Sequence, residues 1–212
     1  MAFGSKTAAA APPEDAPDEP NLLYLPGHFA GRTQALLSGL ATELTLRPDS
    51  LVIAGSRILT KRLHDFRADP GLSYHYSGST HDELPWTPTL AMIREEIQHV
   101  LGVPFNACLC NQYQDGQVGM GWHADKEHEL GDAPNIASVS LGATRLFRFR
   151  KRAPWREAKE YKTWNYDLAD GDLLLMRGNT QRYFEHELAV RPKVSQPRLN
   201  LTFRFVLGSR VS

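Results

Sequence analysis

Apolar residues recur with a helical period in two places near the start of the chain. Leu36, Leu37, Leu40 and Leu44 line one face of a helix expected over residues 28–44. Leu90, Ile93, Ile97, Val100 and Leu101 do the same after Trp86-Thr87-Pro88. Thr87 suits the N-cap, Pro88 the first helical position, and Gly102 the stop. Beyond Gly102 the period falls to two. Strands are expected at Phe105–Tyr113, Ile136–Leu141, Thr144–Arg150, Tyr161–Leu168, Leu173–Met176, Arg182–Leu188 and Arg198–Val206. Asp170-Gly171 is expected to turn the chain between two of them. Earlier, Asn21–Pro26 and Leu51–Ile53 read as short strands, with Arg47–Ser50 as a turn. The alternation in Thr144–Arg150 implies a core face and a basic, water-facing side that includes Arg145.

Helices followed by about eight short strands predict an α+β fold. Its core would be a double-stranded β-helix (jelly roll), flanked by N-terminal helices and enclosing a cavity. Residues 1–20, rich in Ala, Pro, Asp and Glu, read as a disordered tail, and 21–212 as one domain.

Composition narrows the classes. The 24 basic and 24 acidic residues balance, so no global field draws nucleic acid or membrane. Affinity for either needs a local patch. Candidates are Arg57–Arg67 and Arg145–Lys159, each readable as a solvated face or a phosphate-contacting edge. No hydrophobic run approaches a transmembrane span, and the first residues lack a signal-peptide or transit pattern. A soluble intracellular monomer, cytoplasmic or nuclear and not secreted, is expected. Cys108 and Cys110 fit two reduced core thiols better than a zinc or redox pair.

The chemistry concentrates in Asn111–Glu127. His123 and Asp125 are two apart, so an extended backbone turns both to one face and toward one ion. After Asp125 the remaining histidines are His128, in a polar loop, and His186, on a strand. Two His and one carboxylate on one face of an octahedral ion leave positions open, the pattern of non-haem Fe(II) oxygenases. A bare HxD pair and a single core histidine are also common without any metal. The last strand adds a second signal. Arg198, Asn200, Thr202 and Arg204 share one face, and no acidic residue in that strand neutralises the arginines. A small dicarboxylate is the economical partner, because guanidinium grips carboxylate through parallel hydrogen bonds.

The combination Asn111-x-Tyr113, His123-x-Asp125-x-Glu127, a remote His186 and Arg198-x-Asn200-x-Thr202-x-Arg204 resembles the AlkB family of Fe(II)/2-oxoglutarate dioxygenases. The likeness runs from about Leu72 to Leu207, includes Pro134–Gly142, and looks closest to the duplex-DNA repair branch. The resemblance implies that His123, Asp125 and His186 hold Fe(II). It places the distal carboxylate of 2-oxoglutarate on Arg198 and Tyr113, and the chelating end near Arg204 and Asn111, with Asn200 in support. Glu127 would contact the damaged base, Tyr76 would stack on it, and Tyr74 is a further substrate candidate. Residues 50–80 would form the nucleotide-recognition region and 105–207 the jelly-roll core. The implied activity consumes 2-oxoglutarate and O2 and removes N-methyl groups as formaldehyde from N1-methyladenine and N3-methylcytosine. The partner would be methylated DNA, single- or double-stranded, or RNA.

One position departs from that branch. Small Ala54 stands where a bulky apolar wedge is expected, with Ile53 and Ile58 as substitutes. Three other readings remain: an oxygenase of this fold acting on RNA, protein or lipid, a non-catalytic nucleic-acid-binding module, and a cupin-like metal isomerase. The paired arginines argue against the last.

Overall fold

The computed structural model describes residues 16–53, 56–76, 79–153, 155 and 162–207. For 49–53, 56–58, 60, 73–76 and 79–82 it describes backbone alone. Thirteen strands and three α-helices are present among these residues, and every strand ladder is antiparallel. In chain order they are β1 (Leu22–Leu25), α1 (Thr33–Glu43), β2 (Arg47–Ile53), β3 (Ser56–Ala68), β4 (Ser73–Tyr76), β5 (Ser79–Asp82) and α2 (Pro88–Leu101). Next come β6 (Ala107–Tyr113), β7 (Met120–His123), a 3-10 turn (His128–Leu130), β8 (Ile136–Gly142) and β9 (Arg145–Lys151). The chain closes with β10 (Trp164–Leu168), β11 (Leu173–Met176), α3 (Thr180–Tyr183), β12 (Phe184–Leu188) and β13 (Arg198–Arg204).

Seven strands form the larger sheet in the order β1-β11-β8-β13-β6-β3-β2. Four form the smaller, β10-β9-β12-β7, and β4-β5 is a separate hairpin. The period of two along each strand sends alternate residues to opposite faces of the larger sheet. Cys108, Cys110, Val139, Leu141, Leu201 and Phe203 go to the outer face, where α1 and α2 cover them with Leu36, Leu40, Leu90, Ile93 and Ile97. Leu109, Ile136, Leu174 and Met176 go to the inner face and pack against Phe149 and Leu168 of the smaller sheet. This is the expected α+β jelly-roll core with helices on one side. The cavity lies between the sheets.

The caps of α2 explain its bounds. Thr87 accepts a hydrogen bond from the Leu90 amide, Pro88 follows it, and Gly102 ends the helix at φ 68°. The first helix is shorter than the expected 28–44. Gly27 and Gly31 take left-handed backbone, and the Phe29 amide donates to Gly171 O, so residues 27–32 turn instead of coiling.

Three other expectations change. Arg47–Ser50 is strand, not turn; Pro48 fits there because β2 is an edge strand and its register shifts between Pro48 and Ser50. The Asp170-Gly171 turn joins no hairpin, since β10 and β11 belong to different sheets, and it carries the chain from one to the other. Arg145 is 1% exposed, not water-facing. It shares a face with Phe147 and Phe149, whereas Leu146, Arg148 and Arg150 form the opposite one.

The tail expected over 1–20 falls mostly outside the described residues. Within it, Pro20 is buried, and Asp18 and Glu19 lie 3.6 and 3.5 Å from the ammonium groups of Lys151 and Lys162. Cys108 and Cys110 are buried free thiols 3.9 Å apart. Hydrogen bonding with Cys108 and burial push the Cys110 thiol well up, which keeps it protonated and inert.

Candidate metal centre and co-substrate cavity

His123 and His186 are cross-strand partners in the β7–β12 ladder. That register puts their imidazoles together, with ring centroids 4.3 Å apart. Asp125 follows β7 and turns its carboxylate back toward both. Its Oδ1 lies 3.6 Å from His123 Nε2 and 3.8 Å from His186 Nε2. One ligand atom from each of the three lies within 4.8 Å of the others.

Each ligand is held from behind. Gly121 O lies 2.7 Å from His123 Nδ1, which fixes that ring and leaves Nε2 toward the cluster. The Asp125 amide donates to Gln181 Oε1 at 3.0 Å. His186 is 4% exposed and packs its ring near Phe147 and Phe149. Burial, then the neighbouring His123, pulls His186 down to about 3, so its nitrogen is an uncharged lone-pair donor at neutral pH. For Asp125, burial pushes upward but Arg204 and the two histidines outweigh it, and the carboxyl stays ionised far below its usual range. A buried carboxylate with two imidazoles is the donor set of a two-His-one-carboxylate iron site.

The other wall comes from the larger sheet. β13 lies between β6 and β8, with Arg198 opposite Tyr113 and Asn200 opposite Asn111. A cavity of about 50 Å³ is lined by all three candidate ligands together with Asn111, Tyr113, Arg198, Asn200, Thr202 and Arg204. Thus the eight residues expected to serve metal and co-substrate converge on one space. Serines and a second asparagine contact complete it: Asn200 Oδ1 accepts from Ser138 Oγ and Arg198 Nη2, and Asn200 Nδ2 donates to Thr202 Oγ1.

The two arginines differ. Arg204 donates to Asp125 Oδ2 from Nη2 at 2.6 Å and from Nε at 3.2 Å. The acidic partner missing from its own strand therefore arrives from the segment after β7. Among the described residues Arg198 hydrogen-bonds only neutral groups, Ser140 Oγ at 2.8 Å and Asn200 Oδ1 at 2.7 Å. Its Nε and the Asn111 Oδ1 have no partner among the described residues. Burial pulls Arg198 down to about 10, yet it stays cationic at neutral pH. An enclosed guanidinium without an anion suits the carboxylate of an incoming 2-oxo diacid. The residues present fit Fe(II) and 2-oxoglutarate together.

The expected substrate contacts are more dispersed. Glu127 is half-buried beside the 3-10 turn and does not line the cavity, and His128 on that turn is exposed. Tyr74 and Tyr76 lie on β4 with side chains outside the described residues, as are Ala54 and the side chains of Ile53 and Ile58. Of the basic segment 57–67, Arg67 is spent on structure, pairing with buried Asp65 at 2.8 Å and donating to Pro85 O. Lys61 is exposed. Arg148 and Arg150 pair with Glu187 and Glu185 and lie over the Trp122 ring, with Arg150 at 4.1 Å.

Sequence reasoning missed Ser138, Ser140, Gln181 and Arg145. The signal for the serines was present: two polar residues at i, i+2 in the otherwise apolar Ile136–Leu141.

The family model of the 2OG-Fe(II) oxygenase superfamily matches residues 26–204. DNA oxidative demethylase ALKBH2 of Homo sapiens is 43% identical over 144 residues, covering 66% of this chain and 54% of that protein. Alpha-ketoglutarate-dependent dioxygenase alkB homolog 3 of Homo sapiens is 40% identical over 139 residues, 64% of this chain and 49% of that protein. The chain thus spans about half the length of these relatives. It covers 86% of uncharacterized protein R406 of Acanthamoeba polyphaga mimivirus at 30% identity. The fold is similar to the solved structure of OsALKBH1, with a TM-score of 0.61 at 17% identity, covering 88% of this chain and 97% of that one. With the His123–Asp125–His186 cluster and the arginine-lined cavity in place, the chain belongs to the 2OG-Fe(II) oxygenase superfamily.

Proposed function

We propose that this protein is an Fe(II)- and 2-oxoglutarate-dependent oxidative demethylase of N-alkylated bases in nucleic acid, with N1-methyladenine and N3-methylcytosine in DNA as first substrates. The observation that carries the reading is one small cavity holding both the three-residue metal cluster and an anion-free Arg198. Similarity to the DNA oxidative demethylase ALKBH2 supports the substrate class, and similarity to the alpha-ketoglutarate-dependent alkB homolog 3 supports the co-substrate.

His123, Asp125 and His186 would hold iron, which with 2-oxoglutarate and O2 supplies the oxidising chemistry when bound. Arg198 and Tyr113 receive the distal carboxylate, and Asn200 fixes the Arg198 fork from the side. Arg204 holds Asp125 Oδ2, leaving Oδ1 toward the histidines. Phe147, Leu188, Met120 and Met176 line the remaining wall and keep water from the reacting methyl group. A methylated base of this kind is cationic and cannot pair, so extruding it costs less than extruding an intact base. Glu127 offers the cation an opposite charge, and Tyr76, on the β4–β5 hairpin, a ring to stack on. The hydroxylated methyl leaves as formaldehyde and the base is restored.

The test is turnover on oligonucleotides carrying one N1-methyladenine or N3-methylcytosine, with succinate and formaldehyde both assayed. Equal amounts of the two, with restored base in the product strand, are expected. Succinate without formaldehyde on DNA and RNA alike would sink the assignment and leave an oxygenase of other substrates.

A further inference from the structure

The inner face of β9 carries a cation that the metal and co-substrate do not explain. Arg145 is 1% exposed. Its Nη1 donates to Asp115 O at 2.9 Å, and its Nη2 donates to Val118 O at 2.7 Å and Ala189 O at 3.0 Å. Its Nε has no partner, and no carboxylate pairs with it, among the described residues. Carbonyl dipoles solvate the charge but do not cancel it; burial pulls it down while Tyr113 and Asp115 favour it only from beyond ion-pair distance, and a buried charge outside an ion pair is costly. A neutral side chain would clip the same carbonyls more cheaply.

The place of the charge gives it a use. The Arg145 guanidinium carbon lies 5.8 Å from the centre of the Tyr113 ring, and so does that of Arg198. Two cations that form no ion pair among the described residues stand beside one phenol at one end of the cavity. Arg198 feels its neighbour: the Arg145 charge contributes to pulling it down, after burial. Arg198 faces the cavity, whereas Arg145 stands behind Tyr113 and does not line it. The three carbonyls it holds lie in the segment before β7 and just after β12, the two strands that carry His123 and His186.

We propose that Arg145 is a positioning residue for the distal carboxylate of the co-substrate: from behind Tyr113 it supplies the second positive charge that makes this end of the cavity select a dianion. The proposal rests on the reading that Arg198 and Tyr113 receive that carboxylate. It predicts that Arg145 governs discrimination between a 2-oxo diacid and a 2-oxo monoacid of equal length.

The experiment is anaerobic calorimetric titration of the Fe(II)-loaded protein with 2-oxoglutarate and with 2-oxopentanoate. The two share the 2-oxo acid group and differ at the distal carboxylate. Arg145→Gln is expected to reduce the preference for 2-oxoglutarate by about tenfold, with 2-oxopentanoate affinity unchanged, equivalent to about 1.4 kcal/mol. Arg145→Lys, which keeps the charge, is expected to hold the preference within about twofold. If Arg145→Gln weakens both ligands by one factor, Arg145 only clips the loop and the proposal fails. Arg198→Met is the control for the underlying reading. If it leaves the preference intact, the distal-carboxylate assignment itself is wrong. If it abolishes the preference while Arg145→Gln does not, only the role of Arg145 is wrong. Should Arg145→Gln not fold, Arg145→Lys decides. A preference kept beside a lowered melting temperature supports the charge role, and a loss as large as that of Arg198→Met overturns it.

Discussion

Asp125 answers two demands at the level of single atoms. Its Oδ1 faces two imidazoles and its Oδ2 is gripped by Arg204. Removing one partner of a buried ion pair leaves the other uncompensated, which typically costs about 3–5 kcal/mol. Asp125→Ala is therefore expected to destabilise the metal-free protein by about 3 kcal/mol in urea unfolding, besides abolishing iron binding. His186 sets the response to acid. Its folded value of about 3 lies below the ordinary 6.5, so between these the unfolded chain binds a proton that the folded one refuses. Stability from this group is whole above pH 6.5 and is lost as pH falls toward 3. One proton across about 1.5 pH units is about 2 kcal/mol. The metal-free protein should lose about that much between pH 6.5 and about 5, and His186→Gln should flatten the slope, read by thermal melts across pH. His186→Ala should also eliminate turnover; retained formaldehyde release would mean that another residue completes the cluster.

At the level of elements, register does the assembly. The pairing of His186 with His123, and of Arg198 and Asn200 with Tyr113 and Asn111, brings together residues far apart in the chain. A slip of one residue in β12 would turn His186 outward to the face of Glu185 and Glu187. The two long helices, α1 and α2, lie behind the larger sheet and take no part. Thr87→Ala should cost about 1 kcal/mol through the lost cap and leave co-substrate affinity unchanged, checked by paired unfolding and calorimetry. These elements also show what could be read from the chain alone. The α2 caps, the β13 alternation and the HxD pair each carry a local signal, so that helix, that strand and two ligands were legible. Three things were not. The Asp125–Arg204 pair joins residues 79 apart and leaves no mark on either segment. The burial of Arg145 was hidden because Arg145-Leu146-Phe147 breaks the alternation, and parity must be counted from Phe147 and Phe149. The length of β3 was masked by its charges, since Asp65 and Arg67 neutralise each other inside the fold.

For the molecule as a whole, the β2–β3 pair forms one edge of the larger sheet, and none of its described side chains lines the metal cavity. On the proposed function, binding of nucleic acid at this edge would therefore be separable from binding of co-substrate. Replacing residues 51–58 by a two-residue turn should leave 2-oxoglutarate affinity within about twofold and lower formaldehyde release from duplex more than from single strands, measured on matched oligonucleotides. A uniform loss on both would assign the hairpin to general anchoring. The Asp125–Arg204 contact has its own meaning at this scale. It bolts the end of a strand in the smaller sheet to β13 in the larger, at the spot where iron would sit. Its carboxylate already has a positive neighbour, so the two sheets can close before any metal arrives. Folding would then not wait for iron, and the metal would enter a site already built.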